Sequence, residues 1–399
     1  MELEIRIQAN TNVTNQGRNI VICCDGTGNQ FGEQNSNVVK LYQTLVVNET
    51  QRGYYHPGVG TMGAPNAHGH LEKEWTRAKG LAFGAGFTAN LSDAYRYLMN
   101  TYRRGDKVFL FGFSRGAYTA RALASVLHTC GLLSRGNEGL ILYMMRMFAR
   151  ASRNRAKGSR TLAVAHDFKK AFARDVLIDF VGVWDTVSSI GWIYDPVVLV
   201  DDGRNPIVRV GRQAVSIDER RCLYHDKLWG PPFQPCEPEY RVPQDIKQVW
   251  FAGVHSDVGG SYPEEQSGLS KLALEWMLRE AVQFGLKIDR RRARTILHGL
   301  ASPNPTAPLH NSLKGAWWLL EYLPQRYFDK LTKTEKWRIP VGVSRSIPEG
   351  SLIHESVLER MQLAGDYRPL NLPSQFGVEP RVLFPGRAHS RPLAKPIHA

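Results

Sequence analysis

Four short apolar runs constrain the fold of this chain more than any other feature. None of them alternates between apolar and polar residues, as a strand with one wet face does, so each is predicted to be a strand covered on both faces. Such strands occur almost only in parallel sheets between layers of helices, so the pattern predicts the α/β class. The runs are NIVICC at 19–24, KVFLFGF at 107–113, VLIDFVGVW at 176–184 and QVWFAGV at 248–254.

The segments between these strands are long enough for helical crossovers. Between the first two runs, apolar residues recur at spacings that place them on one face of a helix. Strands that alternate with helices at this distance form βαβ units, so we predict a mostly parallel central sheet flanked by helices. The residues of the helical face are Phe87, Leu91, Ala94, Tyr95, Leu98 and Tyr102.

The pentapeptide GFSRG, at 112–116, matches the nucleophile elbow of α/β-hydrolases. It ends the run at 107–113 and leads directly into the alanine-rich stretch RGAYTARALASVL, which has high helix propensity. In an elbow, the sharp turn between strand and helix lifts the serine oxygen clear of the sheet. Ser114 is therefore the predicted nucleophile, and it needs a neighbouring base to accept its proton.

The other predicted strands also end in residues that a hydrolase would use. Asp25 follows the first run, Asp185 the third and His255 the fourth. Catalytic groups in open parallel sheets gather at the carboxyl ends of the strands. The order Ser114, Asp185, His255 along the chain is also that of α/β-hydrolases, so we predict Asp185 as the acid and His255 as the base.

The remaining predicted site residues stabilise the intermediate or hold the loops. The oxyanion needs two N–H donors, which we assign to Arg115, directly after the nucleophile, and to the loop of Gly26 and Thr27. Asp25 is predicted to fix the turn of that loop. Asp257 is a reserve acid, but its position two residues after the base favours a role in steadying the base's loop.

Two other functions remain open at this stage. A metal-assisted hydrolase could centre on Asp25, His255 and Asp257, because an HxD spacing near an acidic strand end suits a divalent ion. A non-catalytic module on the same fold could instead bind membranes or partner proteins. The chain has no recognised metal motif, so the preferred prediction, a serine esterase or lipase, includes neither a metal nor a cofactor.

Seven motifs together resemble a known family. They are DGTGNQ, YYHPGVGT, GDKVFLFGFSRGAYTAR, VGVWDTVSSIG, VHSDVGGSY, HESVLER and YRPLNLP, spread over residues 18–375. The set resembles an α/β-hydrolase domain shared with a family of bacterial type VI secretion phospholipase effectors. The resemblance implies a triad on Ser114, Asp185 and His255, and a phospholipid acyl ester as the substrate. It also raises a secretion or immunity partner, which the sequence does not identify.

The organisation that we predict is a single α/β-hydrolase-like catalytic domain over 18–375 with helical insertions. Within it, residues 286–375 are predicted to be a helical C-terminal extension that decorates the core. Residues 378–399 carry four prolines among basic residues and are predicted to form a poorly ordered tail.

The chain is strongly basic, with a net charge of +14. Such a surface attracts polyanions, and an anionic membrane surface is the candidate partner that suits a lipid substrate. No nucleic-acid module signature is present, so no nucleic acid is expected. The sequence has no apolar run long enough to cross a bilayer and no signal peptide pattern. We therefore expect a protein that is cytoplasmic as synthesised, with export by a specialised secretion system as an open route.

Overall fold

An eight-stranded sheet forms the centre of the molecule. The computed structural model describes residues 17–26, 29, 31–58, 85–153, 160–187, 205–231, 244–315, 317–329 and 334–384. The strands in chain order are β1 (Asn19–Cys24), β2 (Gln51–His56), β3 (Lys107–Phe113), β4 (Leu132–Leu133), β5 (Ala173–Arg174), β6 (Phe180–Trp184), β7 (Val210–Ser216), β8 (Asp245–Phe251), β9 (Gln325–Asp329), β10 (Thr334–Arg338), β11 (Leu352–His354) and β12 (Gly377–Glu379). The helices are α1 (Asn37–Thr44), α2 (Ala85–Thr101), α3 (Arg115–Cys130), α4 (Ile141–Arg153), α5 (Arg160–Phe172), α6 (His255–Gly259), α7 (Gly268–Gln283), α8 (Arg290–His298), α9 (Trp317–Glu321) and α10 (Glu355–Leu363).

The strand order in the central sheet is β12-β11-β8-β7-β6-β3-β1-β2. Every adjacent pair in this sheet is parallel. Helices cover both faces, with α2 to α5 on one side and α1, α7 and α8 on the other. The predicted fold class, an α/β-hydrolase-like sheet flanked by helices, is confirmed. The pairs β4-β5 and β9-β10 form two small antiparallel sheets.

The packing of β1 explains why its sequence does not alternate. Ile20 and Ile22 belong to the core under α2 and α3, whereas Val21 and Cys23 belong to the core under α1 and α7. All four side chains are fully buried. A strand between two helical layers has no solvent-exposed face, so apolar residues occupy successive positions along it.

The C-terminal extension differs from the helical decoration that the sequence predicted for 286–375. It contains α8 to α10, but also the β9-β10 hairpin and the strand β11. The strand β12 follows it, and β11 and β12 extend the central sheet beyond β8. The predicted tail from 378 also starts too early, because Val378 and Glu379 lie in β12. Further along, the N–H of Phe384 donates to Glu275 Oε1 at 2.8 Å. Residues 385–399 lie outside the described residues.

Among the residues that the structure describes, no helix combines the length and the apolar character that a membrane span requires.

Candidate functional site

The strand order reverses at β1, which has β2 on one side and β3 on the other. In parallel α/β sheets such a reversal opens a crevice at the carboxyl ends of the strands, where ligands bind. Asp25 directly follows β1 and Ser114 directly follows β3. Asp185 follows β6, and His255 begins α6 just beyond β8. The four strand-end residues that the sequence singled out therefore lie along one edge of one sheet.

Ser114 occupies a strained turn between β3 and α3. Its backbone has φ 58° and ψ −125°, a region that residues other than glycine rarely adopt. The two glycines of the motif make this turn sterically possible. A Cβ on Gly112 would lie 2.4 Å from the Gly116 oxygen, and one on Gly116 would lie 2.2 Å from the Cys24 oxygen. Strain of this kind costs about 1 to 3 kcal/mol and clusters at functional sites.

Asp185 is fully buried and accepts hydrogen bonds on both carboxylate oxygens. Oδ1 receives the N–H of Ser216 at 2.9 Å and Nη1 of Arg345 at 2.6 Å. Oδ2 receives Nη2 of Arg345 at 3.1 Å and faces Nδ1 of His255 in a short hydrogen bond. The backbone of Asp185 also has a positive φ of 39°. The carboxylate thus lies between a guanidinium and an imidazole.

This arrangement determines the charge state of Asp185. Burial by itself raises the pKa of a carboxyl group, but the charge of Arg345 and the hydrogen bonds from His255 and Arg345 outweigh it and hold the pKa of Asp185 well below its usual range. Asp185 is therefore ionised across the physiological pH range. It can fix the tautomer of the histidine by accepting the proton on Nδ1.

His255 is buried between two aromatic rings. The ring of Phe113 stacks on the imidazole at 4.6 Å between centroids, and Tyr224 meets it edge-on at 4.8 Å. The backbone N–H of His255 donates to Glu219 Oε2 at 3.2 Å. Burial lowers the pKa of His255, and the neighbouring Asp185 only partly offsets this. The imidazole is therefore mostly neutral near pH 7, as a general base must be.

The second ring nitrogen of His255 is chemically available. Nε2 is buried and has no hydrogen-bond partner among the residues that the structure describes. Phe113, which stacks on this ring, immediately precedes Ser114, and the N–H of Ser114 donates to the oxygen of Trp184, the residue before Asp185, at 3.1 Å. These ring and backbone contacts thus connect the three predicted residues. The Ser114 hydroxyl and Nε2 do not form a hydrogen bond here.

Asp25 holds the loop after β1. Its carboxylate accepts hydrogen bonds from the N–H of Gly26 at 2.7 Å, from Ser36 Oγ at 2.9 Å and from Tyr55 Oη at 2.8 Å. Burial raises the pKa of Asp25, and these hydrogen bonds oppose that effect. A Cβ on Gly26 would lie 3.2 Å from the Cβ of Ser114, so this loop packs against the predicted nucleophile.

The geometry revises the predicted oxyanion donors in one respect. The N–H of Gly26 is directed to Asp25 and so does not point to a substrate oxygen. Thr27, the other predicted donor of this loop, lies outside the described residues. Arg115 is the first residue of α3, so its N–H belongs to the positive end of a helix dipole, which favours a developing negative charge.

Asp257 pairs with a different histidine. Oδ1 accepts a hydrogen bond from Nδ1 of His310 at 2.6 Å, and Oδ2 accepts the N–H of Val254 at 3.1 Å. Burial raises the pKa of Asp257, and the interaction with His310 partly opposes this. Asp257 therefore links the start of α6 to the segment that carries His310, whereas the carboxylate next to His255 is Asp185.

The three residues of the metal-assisted alternative do not converge. Asp25 bonds within its own loop, Asp257 bonds to His310, and Nδ1 of His255 bonds to Asp185. Within the described parts of the chain, no group of three or more histidine, cysteine or acidic side chains has an arrangement that could hold a metal ion.

Sequence reasoning missed three residues around the site. Arg345, in the loop before β11, binds Asp185; Glu219, in the loop after β7, binds the backbone of His255; and His310 binds Asp257. None of them lies in a catalytic motif. Arg345 follows Asp185 by 160 residues, so only the folded chain brings them together.

Comparison with known protein families adds a decisive observation. Residues 18–280 match the family model of the type VI secretion system phospholipase effector Tle1-like catalytic domain, which is well over half of the chain. The chain belongs to this family. The matched Tle1-like region contains Ser114, Asp185 and His255, whereas Arg345 and His310 lie beyond it.

Two further proteins are similar to this Tle1-like chain. An uncharacterized protein of Saccharomyces cerevisiae is 24% identical over 90% of this chain and 81% of its own length. The crystal structure of an uncharacterized protein from Pseudomonas aeruginosa aligns with 72% of this chain at 18% identity and a TM-score of 0.39. The alignment covers 49% of that protein, so the Tle1-like chain spans about half of its length.

Proposed function

We propose that this chain is a serine hydrolase that cleaves a carboxylic acyl ester of a phospholipid through Ser114, His255 and Asp185. One observation carries the proposal: Asp185 binds one nitrogen of a buried histidine, while the opposite nitrogen, Nε2, has no partner among the described residues. An imidazole that is oriented on one side and available on the other is equipped to accept a proton from a serine hydroxyl.

The reaction proceeds in two halves. As Oγ of Ser114 bonds to the ester carbonyl carbon, its proton moves to Nε2 of His255, and the carbonyl oxygen takes up the negative charge. The carbon–oxygen bond to the alcohol then breaks, and His255 gives its proton to the departing oxygen. A water molecule, deprotonated in turn by His255, attacks the acyl-enzyme and releases the fatty acid, which restores the Ser114 hydroxyl.

Asp185 stabilises the imidazolium that forms in each half of the reaction. It remains ionised because Arg345 compensates its buried charge. The N–H of Arg115 at the start of α3 is the first oxyanion donor, and Thr27, predicted from the sequence, stays the candidate for the second. These interactions strengthen as charge develops, so they lower the barrier rather than merely bind the ester.

The substrate class follows from the family and from the surroundings of the base. The family is one of phospholipase effectors. Phe113 and Tyr224 flank His255 with aromatic rings, and Trp317 packs edge-on against Tyr224 at 5.6 Å. Aromatic rings beside the base offer an apolar surface that suits an acyl chain.

A fluorophosphonate probe tests the nucleophile, because it labels only an activated serine. We expect the wild-type protein to be labelled and the Ser114→Ala variant to remain unlabelled. The matched control is Ser125→Ala, which removes a buried hydroxyl from the same helix α3 and should leave labelling intact. Labelling that survives in Ser114→Ala would refute the assignment.

The release of fatty acid from phosphatidylglycerol in mixed micelles tests the substrate class. We expect hydrolysis in the presence of EDTA, since the proposed mechanism uses no metal, and loss of hydrolysis in Ser114→Ala. Labelling without release of fatty acid would keep the serine hydrolase but reject the phospholipid. Loss of all turnover in EDTA, restored by a divalent ion, would contradict the triad mechanism.

A further inference from the structure

An open groove of about 900 Å³ lies between α1 and α8, and its lining does not include Ser114, Asp185 or His255. Val39, Tyr42 and Leu45 of the α1 segment line it, and Ile296 lines it from α8. Two large apolar side chains stand at its rim with most of their surface in solvent: Phe31 is 67% exposed and Val47 is 54% exposed. Exposed apolar side chains around an apolar groove mark a surface that binds another apolar body.

The helix α8 beside the groove also carries positive charge. Arg291 belongs to its lining, and Arg290 and Arg294 are exposed on the same helix, α8. None of these three side chains forms an ion pair within the described residues. The acidic residue beside them, Asp289, is occupied as the N-terminal cap of α8 and as the partner of Arg292.

Arg292 makes the groove a preformed feature. Its guanidinium donates to the backbone oxygens of Gln43 at 3.1 Å and of Leu45 at 3.0 Å, at the end of α1. These bonds fix α8 against α1. Arg292, which joins the two helices, is thus distinct from the three arginines that form no ion pair within the described residues.

We infer that this groove is the surface by which the protein docks onto an anionic phospholipid membrane. Phe31 and Val47 enter the acyl region of the leaflet, and the groove receives an acyl chain. Arg291 lies at the level of the phosphates, which it attracts, and Arg290 and Arg294 add positive charge on the same helix. Apolar side chains next to an exposed arginine match a lipid with an apolar tail and an anionic head, and the net charge of +14 adds long-range attraction.

The position of the groove connects docking with catalysis, and in this respect the inference rests on the proposed function. Phe31 lies in the loop after β1, whose start is fixed by Asp25. Tyr55 lines the groove, and its hydroxyl donates a hydrogen bond to Asp25. A membrane bound here is therefore linked to the loop after β1 through Phe31 and through the Tyr55–Asp25 hydrogen bond.

Vesicle co-sedimentation tests the inference without any turnover. Binding is measured in the Ser114→Ala protein with vesicles of phosphatidylcholine that contain phosphatidylglycerol, and with vesicles of pure phosphatidylcholine. We expect Arg291→Glu/Arg294→Glu and Phe31→Ser each to weaken binding to the anionic vesicles by about tenfold or more. Since no hydrolysis is required, this result stands even if the proposed esterase activity fails.

The matched control is Arg103→Glu/Arg104→Glu, which changes two exposed arginines in the turn before β3. Both double variants lower the net charge from +14 to +10, since each Arg→Glu change removes two charge units. Binding that drops equally in the control would show a general charge effect and overturn the inference. Unchanged vesicle binding of Phe31→Ser together with a lower unfolding midpoint would also overturn the inference. It would show that another part of the chain, and not lipid, covers the groove.

Discussion

Asp185, the proposed triad acid, binds a buried cation as well as His255. A guanidinium binds both of its oxygens, and the carboxylate and Arg345 together form a nearly neutral buried pair. The carboxylate therefore stabilises a protonated His255 less than an uncompensated carboxylate does. This is consistent with the lowered pKa of His255, for which burial is the largest cause.

The first prediction concerns the pH dependence of turnover. His255 acts as a base only when it is neutral, so kcat/KM falls as the pH decreases through the pKa of His255. Because that pKa is lowered, we expect the midpoint of the acid limb below the ordinary histidine value of about 6.5. The profile of kcat/KM on a soluble ester between pH 4 and 9 measures it. A midpoint above 7 would contradict the buried, neutral imidazole.

The second prediction assigns Arg345 a positioning role. Arg345→Met removes a buried cation beside Asp185, so the pKa of His255 should rise and the acid limb should move to higher pH. The unfolding free energy should fall by about 3 to 5 kcal/mol, because a buried charge loses its partner.

Arg360→Met is the control for this substitution. Arg360 is as buried as Arg345 but donates to the backbone oxygens of Pro305 and Ala307. Its loss should also reduce stability while leaving the acid limb in place. A limb that stays unchanged in Arg345→Met would reduce Arg345 to a structural residue.

The third prediction separates the two acids near the base. Asp185→Asn should lower kcat by about 10³ to 10⁴, because His255 survives but loses the acceptor that fixes its tautomer. Asp257→Asn weakens the link to His310 and leaves Nδ1 of His255 paired, so kcat should change less than tenfold. Steady-state kinetics on the folded variants decides between them. The reverse order of effects would make Asp257 the acid.

At the scale of the elements, the junction of β1, β3 and α3 depends on two glycines. The fourth prediction is that Gly116→Ala lowers the unfolding free energy by about 3 kcal/mol, because the new methyl group meets the backbone oxygens of Cys24 and Asp25 at 2.2 and 2.4 Å. Gly139→Ala is the control, since nothing lies within 4 Å of its Cβ position. Urea unfolding measures both, and equal midpoints would refute the close approach.

The elements that the sequence predicted correctly are those whose residues are uniformly apolar. The bounds of β1 and β3 are confirmed at 19–24 and 107–113. The central strand β7 was missed because it carries Arg212 and Gln213 although it is buried. Arg212 pairs there with Glu280 and Asp245. These partners from other parts of the chain compensate its buried charge, whereas the local sequence, with its polar residues, does not predict a buried strand.

Partial burial explains two further differences. The strand β8 was predicted at 248–254 and lies at 245–251. Its first residues are exposed or half-buried and mostly polar, so the apolar pattern did not include them. The edge strand β2, QRGYYH, is mostly half-buried and was not predicted at all. An edge strand needs only one neighbour, so its sequence carries a weak signal.

The candidate site shows the same limit. Strand ends and the elbow motif are local signals, and they singled out Ser114, Asp185 and His255, of which the structure joins Asp185 and His255 by a hydrogen bond. The partner of Asp185 was invisible because no spacing rule links residues 160 positions apart. The hydrogen bond from the Gly26 N–H to Asp25 could not be predicted either, because only the folded loop determines which acceptor a turn N–H meets.

At the scale of the whole molecule, the carboxylate of Glu379 links the last strand, β12, to the core. Glu379 of β12 accepts hydrogen bonds from Trp276 at 3.0 Å, Arg279 at 2.9 Å and Lys247 at 3.2 Å. The fifth prediction is that Glu379→Ala lowers the unfolding free energy by about 2 to 3 kcal/mol, because it leaves a buried indole N–H unpaired.

Glu359→Ala is the control for this prediction, since it removes a partly exposed ion pair with Arg381 and should cost less than about 1 kcal/mol. Thermal unfolding followed by tryptophan fluorescence compares the two variants. A larger effect at Glu359 would show that β12 is secured elsewhere.

The strand order has a consequence for how the protein is made. From β3 onward, each strand of the central sheet lies beside its predecessor in the chain, through β6, β7, β8 and β11 to β12. The sheet can therefore grow at one edge while the ribosome is still working. His255 follows Ser114 by 141 residues, so at roughly 5 to 20 residues per second a nascent chain carries its serine for about 7 to 28 seconds before its histidine exists. The guanidinium that compensates Asp185 arrives another 90 residues later. Under the proposed function, an unfinished chain therefore has no assembled triad, and truncated products of translation have no hydrolytic activity.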